Sequence, residues 1–121
     1  SGPHHHAQYT AMLNHMGRVL FEGFLWRNRL RGDELLLEVQ GPYARDVQLH
    51  CAKYKARARV DIKIVSDRWR VWTVWEERED MERFLEKHPF AMGIRDCRAP
   101  SWSLSRYLLP ADFQRTTTLP N

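Results

Sequence analysis

Lys55–Trp75 reads KARARVDIKIVSDRWRVWTVW, and the reading of this stretch decides the fold. Its first half alternates. Ala56, Ala58, Val60, Ile62 and Ile64 point one way, and Lys55, Arg57, Arg59, Asp61 and Lys63 point the other. That is the period-2 pattern of a strand with one buried face. Ser66 and Asp67 supply turn chemistry. Arg68–Trp75 follows as a second β-rich run with three tryptophans. The stretch therefore predicts a hairpin whose 56–64 apolar face is core and whose other face is a basic strip.

Working outward, Arg18–Asn28 (RVLFEGFLWRN) reads as a strand with two largely apolar faces, as a central strand requires. Gly23 within it marks a bulge or a close backbone approach. Glu34–Gln40 is its hairpin partner, joined by a loop rich in arginine (Arg27, Arg29, Arg31). Gly41-Pro42 ends that strand. Residues 43–54 have helical composition and align Tyr43, Val47, Cys51 and Tyr54 on one side. After Trp75, EEREDMERFLEK is a helix with acids in its first turn and a Met81, Phe84, Leu85 stripe. Gln8–Met16 carries no charged side chain and suggests a short helix docked on the sheet. From Phe90 onward the signals are irregular. The expected fold is α+β: one small domain, mostly antiparallel sheet from two hairpins, with packed helices. An OB-like small β-barrel is the alternative if residues 42–54 are a strand.

The expected organisation is a tag-like or disordered 1–6 (SGPHHH), one domain over 7–110 and a loose tail over 111–121. No apolar run reaches the roughly 18–20 residues that span a bilayer, and no secretory signal is evident. The two cysteines, Cys51 and Cys97, read as free thiols in a reducing cytoplasm.

Charge is segregated. Net charge is +4, but Lys53–Trp75 holds seven cations against two acids, and Glu76–Lys87 holds six acids against three cations. Along a strand, Arg57, Arg59 and Lys63 recur in steps of about 6.5–7 Å, close to the phosphate spacing of a nucleic-acid strand. The sequence reading is thus a nucleic-acid-binding module, DNA or RNA unresolved. Its contact residues are Lys55, Arg57, Arg59, Lys63, Arg68 and Arg70, extended by Arg27, Arg29 and Arg31. Trp72 shares a face with Arg68 and Arg70 and is the tryptophan expected to point outward and stack on bases. The plainer reading of the same strip is a solvated face that discourages edge pairing.

The alternative is a protein-interaction module: a subunit, adaptor or inhibitor of a larger machine. The aromatic-rich segment Phe90–Leu109, with WSLSRYLLP, would then meet a partner or a second copy. A third reading is a metal-dependent nuclease. Asp61-Ile62-Lys63 has the acid-x-lysine form of restriction-type enzymes, with Asp33, Glu38 or Asp46 as the second acid. Nothing else points to catalysis, to a metal or to a cofactor. There is no GxGxxG, Walker loop or GxSxG, and His50, Cys51, His88 and Cys97 lack zinc-ligand spacing.

Overall fold

Two antiparallel three-stranded sheets face each other, and one helix covers the back of the second. The computed structural model describes residues 6–55, 58–96, 98 and 101–113. The first sheet has the order β1 (Ala7–Leu13), β2 (Val19–Arg27), β3 (Leu35–Glu38). The second has the order β4 (Trp69–Trp75), β6 (Leu104–Pro110), β5 (Met92–Arg95). Helix α1 is Ala44–Tyr54, entered from a one-turn helix Gly41–Tyr43 that carries Pro42, and α2 is Arg78–Lys87. The mix is α+β, as expected, and no barrel closes.

Cross-strand register fixes the faces. Ala7, Tyr9 and Ala11 pair with Trp26, Phe24 and Glu22, so these share the inner face of the first sheet. There Phe24, Trp26 and Leu36 pack on Met92, Ile94 and Leu108 of the second sheet. The opposite face of the second sheet presents Tyr107 and Leu109 to Met81, Phe84 and Leu85 of α2. A fully buried side chain of this size contributes about 1.5–3 kcal/mol, so β6, apolar on both faces, is the energetic centre of the molecule.

Charged groups tie the layers where apolar contact stops. Arg106 of β6 forms a bidentate pair with Glu38 of β3, and both side chains are about 15% exposed. Trp26 Nε1 also donates to Glu38 (3.1 Å). The guanidinium of Arg106 lies 4.7 Å from the Phe24 ring centroid, and that of Arg98 lies 5.1 Å from it. Asp96 accepts from the Arg98 side chain and amide. The Arg98 guanidinium holds the Asp96 carboxyl below the usual carboxylate range. A lowered folded-state pKa stabilises above the unfolded value of about 3.9 and is lost as pH falls through the lower folded value. Stability should therefore fall with acid below about pH 4. Asp96→Asn should flatten that limb of a urea midpoint-versus-pH curve, and an unchanged limb would remove Asp96 as its source.

Several expectations need correction. Gln8–Met16 is not a helix: residues 7–13 form β1, and Asn14–Arg18 is a tight hairpin turn. Asn14 Oδ1 accepts the Met16 and Arg18 amides, and Gly17 takes φ +82°. The irregular C-terminus is instead β5 and the central strand β6. WSLSRYLLP is thus mostly consumed by the fold, since Tyr107, Leu108 and Leu109 are buried. The Lys55–Trp75 hairpin does not form. Its second half is β4, but 58–65 has no regular structure, and Ala58, Val60 and Ile64 are exposed rather than core. The physical reason lies in the faces. The partner of β4 beneath α2 must be apolar on both sides. LSRYLLP is, and a strand with one basic face is not.

Both ends of the described chain are engaged. The carbonyl of His6 accepts the Arg27 amide (2.8 Å), and its Nδ1 accepts the Gly93 amide (3.2 Å), which joins β1 to β5. Phe113 packs among Phe84, His88, Phe90 and Trp72.

Candidate interaction surface

Strand β4 leaves one edge and part of one face uncovered among the described residues. It pairs with β6 on one edge and with no strand on the other among the described residues. Trp72 and Val74 point towards α2 and join the cluster around Tyr107 and Leu109. Trp69, Val71, Thr73 and Trp75 point the other way, as their partners Pro110, Leu108, Arg106 and Leu104 show. The first sheet covers only the Trp69 end of that face. Beyond it, Val71 is 40% exposed and Trp75 68% exposed. Trp102, in the loop before β6, is 57% exposed, and its ring lies 5.7 Å from that of Trp75.

The outward tryptophan is therefore Trp75, not Trp72. Trp72 is half-buried, with its ring 6.2 Å from Phe113. Alternation along β4 assigns the two faces but not which face the rest of the fold covers.

Of the ten residues expected to bind nucleic acid, several are engaged within the fold. Arg57 lies outside the described residues. Arg29 caps the C-terminal end of α2, donating to the carbonyls of Ala91 (2.8 Å), Leu85 (3.3 Å) and His88 (3.4 Å). A cation there satisfies carbonyls that the helix leaves unpaired. Arg31 pairs with Asp33 and Glu34, and Arg70 donates to the Ser66 and Trp69 carbonyls. Lys55 donates to the Val60 carbonyl (3.0 Å). Arg27, Arg59, Lys63 and Arg68 are exposed, but Arg59 and Lys63 sit on an irregular segment and not on a flat strand face.

The nuclease reading gains no support from the described residues. Among the described residues no three His, Cys, Asp or Glu side chains gather where a metal could be held. Glu38 is engaged by Arg106 and Trp26. Burial pushes the Cys51 thiol up, away from the thiolate that ligation or nucleophilic attack needs. Cys97 lies outside the described residues. Burial and a hydrogen bond to Glu76 push the Tyr107 hydroxyl up, so it stays protonated as a structural donor. No helix among the described residues is long and apolar enough to cross a membrane.

No family model matches the sequence, and no solved structure is detectably similar to it. Curated relatives do match. The chain is 31% identical over 113 residues to the iron–sulfur cluster assembly factor IBA57 homolog, mitochondrial, of Pyricularia oryzae, covering 92% of this chain and 28% of that protein. It is 29% identical over 126 residues to the protein of the same name in Chaetomium globosum, covering 93% and 29%. In Aspergillus oryzae the figures are 30% over 131 residues, 93% and 29%. The chain thus spans under a third of the length of the relatives it matches.

These relatives overturn two expectations. They are named for iron–sulfur cluster assembly, so the nucleic-acid reading and its DNA or RNA partner fall; the protein-interaction alternative is better supported. They are also named mitochondrial, which overturns the cytoplasmic assignment.

Proposed function

We propose that this chain is a protein-docking domain of a mitochondrial iron–sulfur cluster assembly factor, anchored through the Trp75–Trp102 pair. The cluster is cargo in this reading, handled by the assembly and not held by this chain alone. An all-cysteine cluster site takes four thiolates, and the 121 residues contain two cysteines. What the chain does offer is two large exposed indoles in contact on a face that the described residues leave bare. That observation carries the proposal. Exposed tryptophan is costly in water, and tryptophan dominates the energetic centres of protein interfaces. The strip is too small to be a whole interface, so the surrounding polar rim supplies the rest.

The test is a chimera. The chain replaces the matched segment of the Pyricularia oryzae relative in a strain lacking that relative, and mitochondrial iron–sulfur enzyme activity is assayed. The chimera should restore activity. Trp75→Ala with Trp102→Ala should lower it several-fold, through a partner affinity reduced about 10–100-fold, while the purified chain keeps its melting temperature. A chimera that accumulates normally and restores nothing refutes the functional reading. A double variant as active as the parent moves the docking face elsewhere.

A further inference from the structure

Residues 58–65 have the makings of a strand and, among the described residues, no strand paired with them. Val60, Ile62 and Ile64 alternate with Arg59, Asp61 and Lys63, yet the segment has no regular secondary structure. Among the described residues, no backbone amide from Arg59 to Ile64 bonds a backbone carbonyl. Two side chains hold the segment. Gln48 Nε2 donates to the Ile62 carbonyl (3.1 Å), and Lys55 Nζ donates to the Val60 carbonyl (3.0 Å). Val60 is 49% exposed and Ile64 45% exposed. β-Branched residues at every second position favour the extended backbone. A strand-competent segment with its ladder bonds unmade is a template for another chain.

We propose that residues 58–65 are a β-augmentation site for an extended strand of a partner protein, one in which acidic and apolar residues alternate. The inference deepens the docking reading and rests on it. Pairing would set the partner's apolar residues beside Val60, Ile62 and Ile64, and its acids beside Arg59 and Lys63. Charge selects this occupant. The described part of Lys53–Arg70 carries six cations against two acids, and all eight side chains are exposed. A second copy would bring two such basic stretches together, at a cost that an acidic strand does not meet.

The 121-residue chain, labelled with ¹⁵N, is followed by amide exchange with an eight-residue peptide alternating glutamate and valine. A lysine–valine peptide is the control. Exchange at Arg59–Ile64 should be fast in the free chain and slow by about tenfold or more with the glutamate peptide. The effect should weaken as salt rises from about 0.05 to 0.5 M and be absent with the lysine peptide. Ile62→Pro, which removes a ladder donor, should abolish it without moving the melting temperature. No slowing at millimolar peptide, or equal slowing with lysine, overturns the proposal. So does protection in the free chain: growing with concentration it indicates a second copy, and independent of concentration it indicates pairing within the chain. The Trp75–Trp102 chimera reads the broader function separately, so either claim can fail while the other stands.

Discussion

Gly23→Ala should melt roughly 12 °C below the parent chain, the largest loss expected of any single methyl group in this molecule. A Cβ built on Gly23 comes within 2.0 Å of the Glu38 carbonyl oxygen, 3.1 Å of its carbonyl carbon and 3.1 Å of a Val39 methyl carbon. The first neighbour is backbone and cannot rotate away. β3 would have to retreat by more than an ångström. Next to Gly23, Phe24 pairs with Glu38, so retreat pulls on the ladder itself and on the Glu38 carboxylate held by Trp26 and Arg106. Overpacking costs about 1–3 kcal/mol where side chains can adjust. With backbone displaced and a buried pair loosened, about 3 kcal/mol is the expected loss, at roughly 4 °C per kcal/mol for this chain length. Gly32→Ala is the control. Nothing lies within 4 Å of a Cβ there, and it should stay within about 2 °C of the parent, the range of a surface substitution. Two variants that melt together would mean that β3 does not cross Gly23 this closely.

Much of this architecture is legible in the residues, and the misses share one cause. The strand around Gly23, its hairpin partner, α1 and α2 follow from local pattern: apolar period, Gly-Pro breaks, acids at a helix start. Gly23 itself, in an otherwise apolar strand, marks the close approach that the structure contains. β6 was hidden because Ser105 and Arg106 interrupt its apolar run. Both are satisfied from far away in sequence, Ser105 by Arg95 and Arg106 by Glu38. β1 was hidden by alanines that suit a helix, until Asn14 and Gly17 turn the chain back. Lys55–Ile64 shows the reverse error. Alternation establishes that a segment can be a strand, but the partner edge has to come from elsewhere. The candidate surface follows the same rule. The composition of β4 places tryptophan on both faces. α2 on one face covers Trp72, and the first sheet on the other reaches Trp69 but not Trp75. Arg29 and Arg31 likewise read as free cations until the end of α2 and the acids of the turn come into contact with them.

Arg106→Met should cost about 3 kcal/mol, the usual scale for removing one partner of a buried ion pair. Among the described residues, the variant leaves the Glu38 carboxylate between two sheets with the Trp26 indole as its one hydrogen-bond donor and Arg98 as the remaining nearby cation. It also removes the cation from the Phe24 ring, an interaction of about 1 kcal/mol. The charge is what makes the loss large, and a second substitution can show it. Glu38→Gln keeps an oxygen for Trp26 and removes the carboxylate. In the Glu38→Gln, Arg106→Met double variant no charge is stranded, and methionine fills the space of the guanidinium stem with adaptable apolar volume. That variant should recover roughly 2 kcal/mol of the deficit in a denaturant melt, so the double-mutant cycle closes with a coupling of about 2 kcal/mol plus whatever Glu38→Gln costs alone. Additive losses would mean that Arg106 stabilises the sheets by packing on Phe24 and not by neutralising Glu38. A double variant near the parent would carry the opposite meaning. The pair would then add little net stability, as buried pairs often do, and its effect would be to fix how the two sheets meet. Only one register of β3 against β6 brings Glu38 to Arg106, and an apolar contact would tolerate several.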